Sequence, residues 1–185
     1  YRMAEALLRN GHKVTIVCGS SVHGDTGLDG PFLNGIRRGY FEGIEVIELE
    51  LLYSNHLSLL KRSLIFLRYA LQSIRIVLSE NYDLVFATTT PLTAAIPGIF
   101  ARWMCKKPFV FEVRDLWPEL PKAMKLITNP LILKTLSGLE WASYHSAQRP
   151  IGLSPGIVDG ICTRGIRKDR VSMIPNGCDH DFFTK

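Results

Sequence analysis

The sequence predicts an α/β fold with a doubly wound, mainly parallel sheet and helices on both faces. Short apolar segments rich in β-branched residues alternate with helical patterns of about 10–20 residues. This alternation produces right-handed β-α-β units, in which helices cover parallel strands. Hydrophobic residues make up 46% of the 185-residue chain and charged residues 21%, which is ordinary for a folded globular protein and excludes a disordered or fibrous class.

The predicted strands are short segments whose apolar residues favour burial. They cover residues 13–18, 44–50, 83–89, 109–113, 149–154 and 171–175. The segment 44–50 alternates apolar and acidic residues, which indicates a strand with one face in water. The interval 19–42 contains six glycines and the basic pair Arg37 and Arg38, and we expect it to be a long functional or mobile loop.

The predicted helices lie between these strands and have recognisable ends. They cover residues 1–10, 57–79, 91–105, 129–146 and 155–165. Gly11 supplies the stop of the first helix, and Pro91 and Pro155 occupy favoured first-turn positions. Pro97 lies inside the third helix, so we expect a kink or a division there.

Charge and composition narrow the class of partner. The net charge of +5 favours an anionic partner such as phosphate, nucleotide or acidic lipid, and we expect no nucleic-acid partner. The four cysteines lack C-x-x-C spacing and the five histidines lack metal spacing, so reduced thiols and no metal site are expected. No apolar run reaches the roughly 20 residues of a membrane-spanning helix.

Ligands of open α/β sheets bind beyond the carboxyl ends of the strands. That rule selects the glycine-rich loop from residue 19 and the segments 88–91, 112–119 and 153–156. The polar candidates in the last three are Thr88, Thr89, Thr90, Glu112, Arg114, Asp115, Glu119 and Ser154. Helix capping explains the threonines and the serine equally well or better, and a ligand contact is the alternative.

The segment 112–119, which reads EVRDLWPE, concentrates charge beside the buried strand 109–113. Its charged groups are costly to desolvate unless they pair or meet a ligand. One interpretation is a closed arginine–carboxylate network that fixes the loop. The other directs Arg114 into a cleft, where its planar guanidinium meets phosphate or sugar oxygens.

The predicted helix 57–79 is basic and carries no acidic residue. Its cations are Lys61, Arg62, Arg68 and Arg75. Three of them, at positions 61, 68 and 75, recur every seven residues and fall almost on one stripe. The stripe is either a solvated face or a contact with an anionic membrane surface.

Taken in order, the motifs RMAEALLRNGHKVTIVCG, GIEVIELEL, TTTPLTAAIPG, FVFEVRDLWPE, LSPGI and RVSMIPNGCDHDFF resemble the amino-terminal domain of family 4 glycosyltransferases. The resemblance covers nearly the whole chain, and it is to enzymes of the kind that build bacterial capsule, O-antigen or other surface polysaccharides. It implies one Rossmann-like, acceptor-side lobe of a two-lobed GT-B enzyme, cytoplasmic or peripheral on the inner face of the plasma membrane.

The resemblance also implies a chemistry. Related enzymes transfer a hexosyl or N-acetylhexosaminyl group from a nucleotide sugar to a saccharide or polyprenyl-diphosphate-linked acceptor, with retention and without a cofactor or catalytic metal. Many members carry His-Asp where this chain has Arg114 and Asp115, which become the expected catalytic residues. An arginine there is suited to stabilise the leaving diphosphate and not to act as a base. Asn176 and Gly177 of IPNGCD join the expected substrate-binding residues.

The resemblance sets expected boundaries as well. The amino-terminal domain covers residues 1–175 and an interdomain linker begins at 176–185, with the donor-binding lobe beyond Lys185. A central strand and a glycine-bearing turn are expected before Tyr1, because the opening helix should follow a strand. This half alone is expected to be inactive. The alternatives are a non-catalytic acceptor- or membrane-binding module and a sugar-nucleotide epimerase of the same fold.

Overall fold

The computed structural model describes residues 1–21, 26–54, 56–89 and 91–177, and these residues form two compact units, Tyr1–Ser73 and Ile74–Lys185. Both combine strands with flanking helices, and parallel pairing predominates, so the predicted α/β class is confirmed. The long helix α2, Leu59–Ser79, continues across the division between them. Among the described residues, no helix combines the length and apolar character needed to cross a bilayer.

The first unit contains a three-stranded sheet in the order β1-β3-β2. Its elements are α1 (Arg2–Arg9), β1 (Thr15–Ser21), β2 (Ile36–Phe41), β3 (Ile44–Tyr53) and the first part of α2. Strands β1 and β3 are parallel, whereas β2 pairs with β3 in the antiparallel sense. The central strand β3 supplies the core, with Ile44, Leu49 and Leu51 nearly inaccessible.

Strand β2 corrects two predictions. It lies inside the interval 19–42 that was expected to be a loop. It also buries Glu48, whose position in β3 had indicated a wet face. Arg37 of β2 donates to Glu48 from Nε at 3.1 Å and Nη2 at 2.7 Å, and the Thr26 hydroxyl donates at 2.6 Å. The burial of this carboxylate is therefore compensated by a paired cation and a hydroxyl.

The second unit contains a fully parallel four-stranded sheet in the order β4-β5-β6-β7. Its elements are β4 (Val85–Thr88), α3 (Ala95–Trp103), β5 (Phe109–Val113), α4 (Glu119–Ala123), α5 (Pro130–Ser146), β6 (Arg149–Gly152), α6 (Pro155–Thr163) and β7 (Ser172–Met173). A 3-10 turn, Leu92–Ala94, precedes α3. The predicted helix 91–105 is thus divided, and Pro97 sits in the first turn of α3, where a missing N–H is tolerated.

The core of the second unit lies between β5 and its flanking helices. Phe109, Phe111 and Val113 are fully buried and share one face of β5. Tyr144 of α5 packs 6.2 Å from the Phe111 ring, and Gly98 of α3 lets that helix approach Phe109 closely. This packing fixes the position of β5 and therefore the position of the residues that follow Val113.

Candidate functional site

The candidate site is the carboxyl edge of the four-stranded sheet in the second unit. All four strands are parallel, so their last residues lie at the same edge. Thr88 pairs with Glu112, and Val113 pairs with Gly152. The structure therefore brings together the predicted segments that follow β4, β5 and β6, as the rule for open sheets requires.

A threonine joins the ends of β4 and β5. The side chain of Thr89 is almost fully buried, and its Oγ1 accepts a hydrogen bond from the Arg114 amide at 2.7 Å. The Asp115 amide lies 3.4 Å from the same oxygen. Thr89 also donates its own amide to the Glu112 carbonyl at 3.0 Å. Thr89 therefore holds the backbone at which the predicted catalytic pair begins.

Its neighbour Thr88 is exposed and bonds across the strands. The Thr88 hydroxyl lies 2.6 Å from Oε2 of Glu112 and donates to it, with the Thr89 carbonyl 2.9 Å away. Both residues thus present oxygen atoms at the edge of the sheet. These are groups that could bond the hydroxyls of a sugar. Thr90, which was predicted with them, lies outside the described residues.

Arg114 itself lies on the surface, directly after β5. Within the described part of the chain, its side chain forms no ion pair with a carboxylate. Two carboxylates of this segment have other partners, since Glu112 bonds to Thr88 and Glu119 to Arg164. Arg114 is thus exposed at the edge of the sheet, and its catalytic role stays a prediction.

Glu119 belongs to a different cluster, with Arg164 at the end of α6 and Glu140 of α5. Arg164 lies between the two carboxylates, with its Nε 2.8 Å from Glu140. Burial raises the pKa of Glu140 to about 7, and the nearby negative charge of Glu119 adds to that shift, while Arg164 opposes it. This cluster ties α4, α5 and α6 together, so Glu119 has a structural role in addition to its predicted one.

The remaining predicted residues take the following places. Ser154 is the N-cap of α6 and accepts a hydrogen bond from the Ile157 amide, as its sequence context indicated. Asn176 and Gly177 are exposed beyond the end of β7, on the same edge of the sheet. Their ligand contacts stay a prediction.

Two polar atoms near this edge were missed by the sequence interpretation. The hydroxyl of Thr93, in the turn before α3, and the indole N–H of Trp117 are buried, and neither has a hydrogen-bond partner among the described residues. A buried polar atom without a partner costs about 1–3 kcal/mol, so a ligand or water that bonds it would be favoured. No sequence signal identified them, because a threonine in a turn and a tryptophan beside a core are common.

An apolar and basic segment follows the site in the chain. Between residues 120 and 134 the side chains of five large apolar residues are exposed, and the only charged residues are lysines. The apolar residues are Leu120, Met124, Leu126, Leu131 and Ile132, and the lysines are Lys122, Lys125 and Lys134. Because α5 runs back to the start of β6, its first residues lie at the carboxyl edge of the sheet.

The basic helix of the first unit departs from one prediction. Lys61, Arg68 and Arg75 are exposed on α2, as a common stripe requires. Arg62 is half-buried and lies over the Tyr53 ring, with its guanidinium carbon 5.5 Å from the ring centroid. Arg62 therefore belongs to the packed side of the helix, and the membrane contact of the four cations stays a prediction.

The described cysteines are not paired in disulfides. Cys18, Cys105 and Cys162 are free thiols, and burial raises the pKa of Cys18 to about 11; Cys178 lies outside the described residues. In the described ranges, no three His, Cys, Asp or Glu side chains group as a metal site would. The polar groups that the described residues bring to the edge of the sheet are a guanidinium, hydroxyls and carboxylates.

Comparisons with known proteins identify the family. No curated protein matches the chain. Matching solved structures include HepE of Anabaena in complex with UDP, which is 17% identical with a TM-score of 0.42, over 71% of this chain and 32% of that one. Its complex with UDP and glucose is 18% identical with a TM-score of 0.46, over 76% and 33%.

The chain thus spans about a third of the length of those structures. A family model described as a glycosyl transferase 4-like domain matches residues 1–177. Because this match covers nearly all of the sequence, the chain belongs to the glycosyl transferase 4-like domain family.

Proposed function

We propose that this domain forms one wall of the active site of a retaining glycosyltransferase. The enzyme moves a sugar from a nucleoside diphosphate to a saccharide or lipid-linked acceptor, with the donor held largely by a second lobe. Family membership supports a transferase. The single observation that supports the site is the exposed Arg114 at the carboxyl edge of the sheet, directly after β5, where Thr88 also ends the neighbouring strand β4.

The proposed role of Arg114 is electrostatic. As the bond between the sugar and the diphosphate breaks, negative charge develops on the leaving phosphate oxygens. A guanidinium at the edge stabilises that charge and remains protonated throughout, so it serves as an electrophilic group and not as a base. Asp115 orients the arginine or accepts a hydrogen bond from a sugar hydroxyl.

The other edge residues are proposed to bind substrate. Thr88 and Glu112 present oxygens to sugar hydroxyls, and Ser154, Asn176 and Gly177 follow neighbouring strands. Thr93 and Trp117 supply buried donors that a ligand would satisfy. No cofactor and no metal ion are part of this proposal, in keeping with the resemblance to family 4 enzymes.

The exposed segment 120–134 supports a lipid-linked acceptor. Its apolar residues favour contact with a polyprenyl chain or the bilayer, and its lysines favour the diphosphate that joins lipid to sugar. We infer an acceptor of this class, used in capsule, O-antigen or other surface polysaccharide synthesis at the cytoplasmic face of the membrane.

A transfer assay tests the proposal. The full-length protein is incubated with each of a panel of nucleoside-diphosphate sugars, with either a polyprenyl-diphosphate-linked acceptor or a soluble saccharide. We expect sugar transfer with one donor, retained anomeric configuration in the product, and faster transfer to the lipid-linked acceptor.

Other outcomes have distinct meanings. Saturable binding of acceptor without turnover of any donor would show a binding module instead. Conversion of the donor sugar to its epimer without an acceptor would show an epimerase. Equal rates on both acceptors would retain the transferase and reject the lipid-linked class.

A further inference from the structure

The first unit has a carboxyl edge of its own, formed by β1 and β3. These two strands are parallel, and Ser21 pairs with Tyr53 near their last residues. The helix α2 begins at Leu59, shortly after β3 ends at Tyr53, so its amino end follows this edge. Ligands of open sheets bind at such edges, and the helix dipole places partial positive charge there. The edge is therefore a second candidate for ligand binding, separate from the Arg114 edge of the second unit.

Arg62 lies one turn into α2, and its side chain reaches the end of β3. Its amide donates to the Ser58 carbonyl at 3.0 Å, which closes the first turn of the helix. Its guanidinium carbon lies 5.5 Å from the centroid of the Tyr53 ring, and that ring stacks on Phe66 with the centroids 5.4 Å apart. A cation over an aromatic face is attracted to it. The two rings therefore hold the guanidinium beside the last residue of β3.

The positive charge of Arg62 has no protein counter-ion in the part of the chain that the structure describes. No carboxylate there forms an ion pair with it, and the first turn of α2 contains no acidic residue. Its Nε is buried and has no hydrogen-bond partner among the same residues. A buried charged donor without an acceptor is costly, so an anionic ligand that accepts from it is favoured.

A role in packing alone does not explain this charge. Arg62 lies two turns from Tyr69, which packs on the sheet and donates from its hydroxyl to the Val17 carbonyl at 2.9 Å. An apolar side chain in the place of Arg62 would cover Tyr53 without the cost of burying a charged donor. The exposed Arg68 of the same helix, by contrast, keeps its charge in water. Arg62 is thus the cation of α2 whose environment calls for a ligand.

We propose that Arg62 binds a phosphate group of a diphosphate-bearing ligand at this edge. The planar guanidinium presents pairs of N–H donors that match two phosphate oxygens. The amino end of α2 adds a favourable field for the same anion. The assignment of the ligand to the acceptor or the donor of sugar transfer rests on the proposed function, whereas the phosphate site itself does not.

Calorimetric titration of the full-length protein with inorganic diphosphate tests the site. The parent protein carries Arg114→Ala, so that the proposed leaving-group contact does not contribute, and the ionic strength is held at about 0.15 M. We expect saturable binding by the parent. Adding Arg62→Gln should raise the Kd at least about tenfold, because the planar donors are lost. Adding Arg68→Gln, the matched loss of one positive charge on α2, should change the Kd less than about twofold.

Two further ligands identify the source of the phosphate. Farnesyl diphosphate represents a lipid-linked acceptor, and UDP represents a nucleotide donor. A loss of affinity with Arg62→Gln for farnesyl diphosphate but not for UDP assigns the site to the acceptor. The reverse result assigns it to the donor, and both results support a phosphate site at Arg62.

Three results would overturn the site. The parent protein could show no saturable binding of inorganic diphosphate. The Arg62→Gln protein, natively folded by circular dichroism, could bind as tightly as its parent. Arg62→Gln and Arg68→Gln could weaken binding equally, which would show diffuse attraction to a basic helix. If Arg62→Gln does not fold, Arg62→Met is titrated in its place, because methionine retains an unbranched stem over Tyr53 without the charge.

Failure of this site is distinct from failure of the proposed function. A protein that transfers sugar but shows no Arg62-dependent binding of diphosphate rejects the site and retains the transferase. Arg62-dependent binding of inorganic diphosphate without turnover of any donor retains the site and rejects the transferase.

Discussion

At the scale of the residue, Thr89 determines how the candidate site is held. Its buried hydroxyl accepts from the Arg114 amide at 2.7 Å, and its own amide extends the pairing of β4 with β5. One side chain therefore connects the end of one strand to the backbone beyond the next. The backbone position of Arg114 therefore depends on a hydrogen bond to the neutral hydroxyl of Thr89.

Thr89→Val tests this role, since valine keeps the shape of threonine and removes the oxygen. The Arg114 amide would lose its acceptor, and we expect the free energy of unfolding to fall by about 1–3 kcal/mol. Urea unfolding at neutral pH measures the change, and the transfer assay should show a lower kcat for the same variant.

Two neighbouring substitutions serve as controls for this prediction. Thr89→Ser retains the hydroxyl and should keep most of the activity. Thr88→Val removes an exposed hydroxyl that bonds Glu112 and leaves the Arg114 amide bonded, so its stability should change less. Equal stability of Thr89→Val and the wild type would reject the role of Thr89.

At the scale of the element, the helices of the second unit are joined through a buried carboxylate. Glu140 of α5 is 1% exposed and lies beside Arg164 at the end of α6. Burial raises the pKa of Glu140 to about 7, above its ordinary value. The folded state therefore binds more protons than the unfolded state between those two pKa values, and stability is lost as the pH rises through that interval.

Glu140→Gln should remove this dependence on pH. At about pH 5 the wild-type carboxyl is largely protonated in the folded state, and at about pH 8 it is charged and costly to bury. We therefore expect the free energy of unfolding of the variant, relative to wild type, to increase by about 1–3 kcal/mol between those pH values. Urea unfolding at both pH values measures this.

Asp159→Asn, at an exposed position of α6, is the matched loss of one negative charge and should show a much smaller change. A stability difference between Glu140→Gln and wild type that is the same at both pH values would contradict the raised pKa. The prediction concerns helix packing and is independent of catalysis.

The predicted helices and strands match the structure where the local pattern of apolar residues is sufficient to determine the secondary structure. Helix α2 and the buried strand β5 follow directly from apolar periodicity and β-branched content. Strand β2 was missed because Arg37, Arg38 and Gly39 interrupt its apolar pattern, and its pairing depends on Glu48 in a strand that follows it. Pairing between distant residues is tertiary information that local periodicity does not contain.

The candidate site was also predictable where it depends on local sequence, but not where it depends on contacts between distant residues. The edge of the sheet and Arg114 follow from strand direction and the rule for open sheets. The partner of Glu119 was not predictable, because Arg164 lies 45 residues away in the chain. The assignment of Arg62 to the packed side required the position of Tyr53 as well as the helical spacing.

At the scale of the whole molecule, family membership and the arrangement of polar groups both support the proposed transferase function. The glycosyl transferase 4-like model covers residues 1–177, which is all of the first compact unit and most of the second. The second unit carries Arg114 at the edge of its sheet and the apolar, lysine-bearing segment 120–134. The first unit carries the exposed cations Lys61 and Arg68 of α2. The net charge of +5 favours an anionic partner, as the proposed function requires.

The most direct test of the central claim is the kcat/KM for sugar transfer by full-length protein carrying Arg114→Ala, compared with Arg102→Ala at another exposed arginine of the second unit. We expect the first variant to lose about 100-fold or more and the second to stay within about twofold of wild type, with Arg114→Lys between them. A folded Arg114→Ala protein with wild-type kcat/KM would contradict the account.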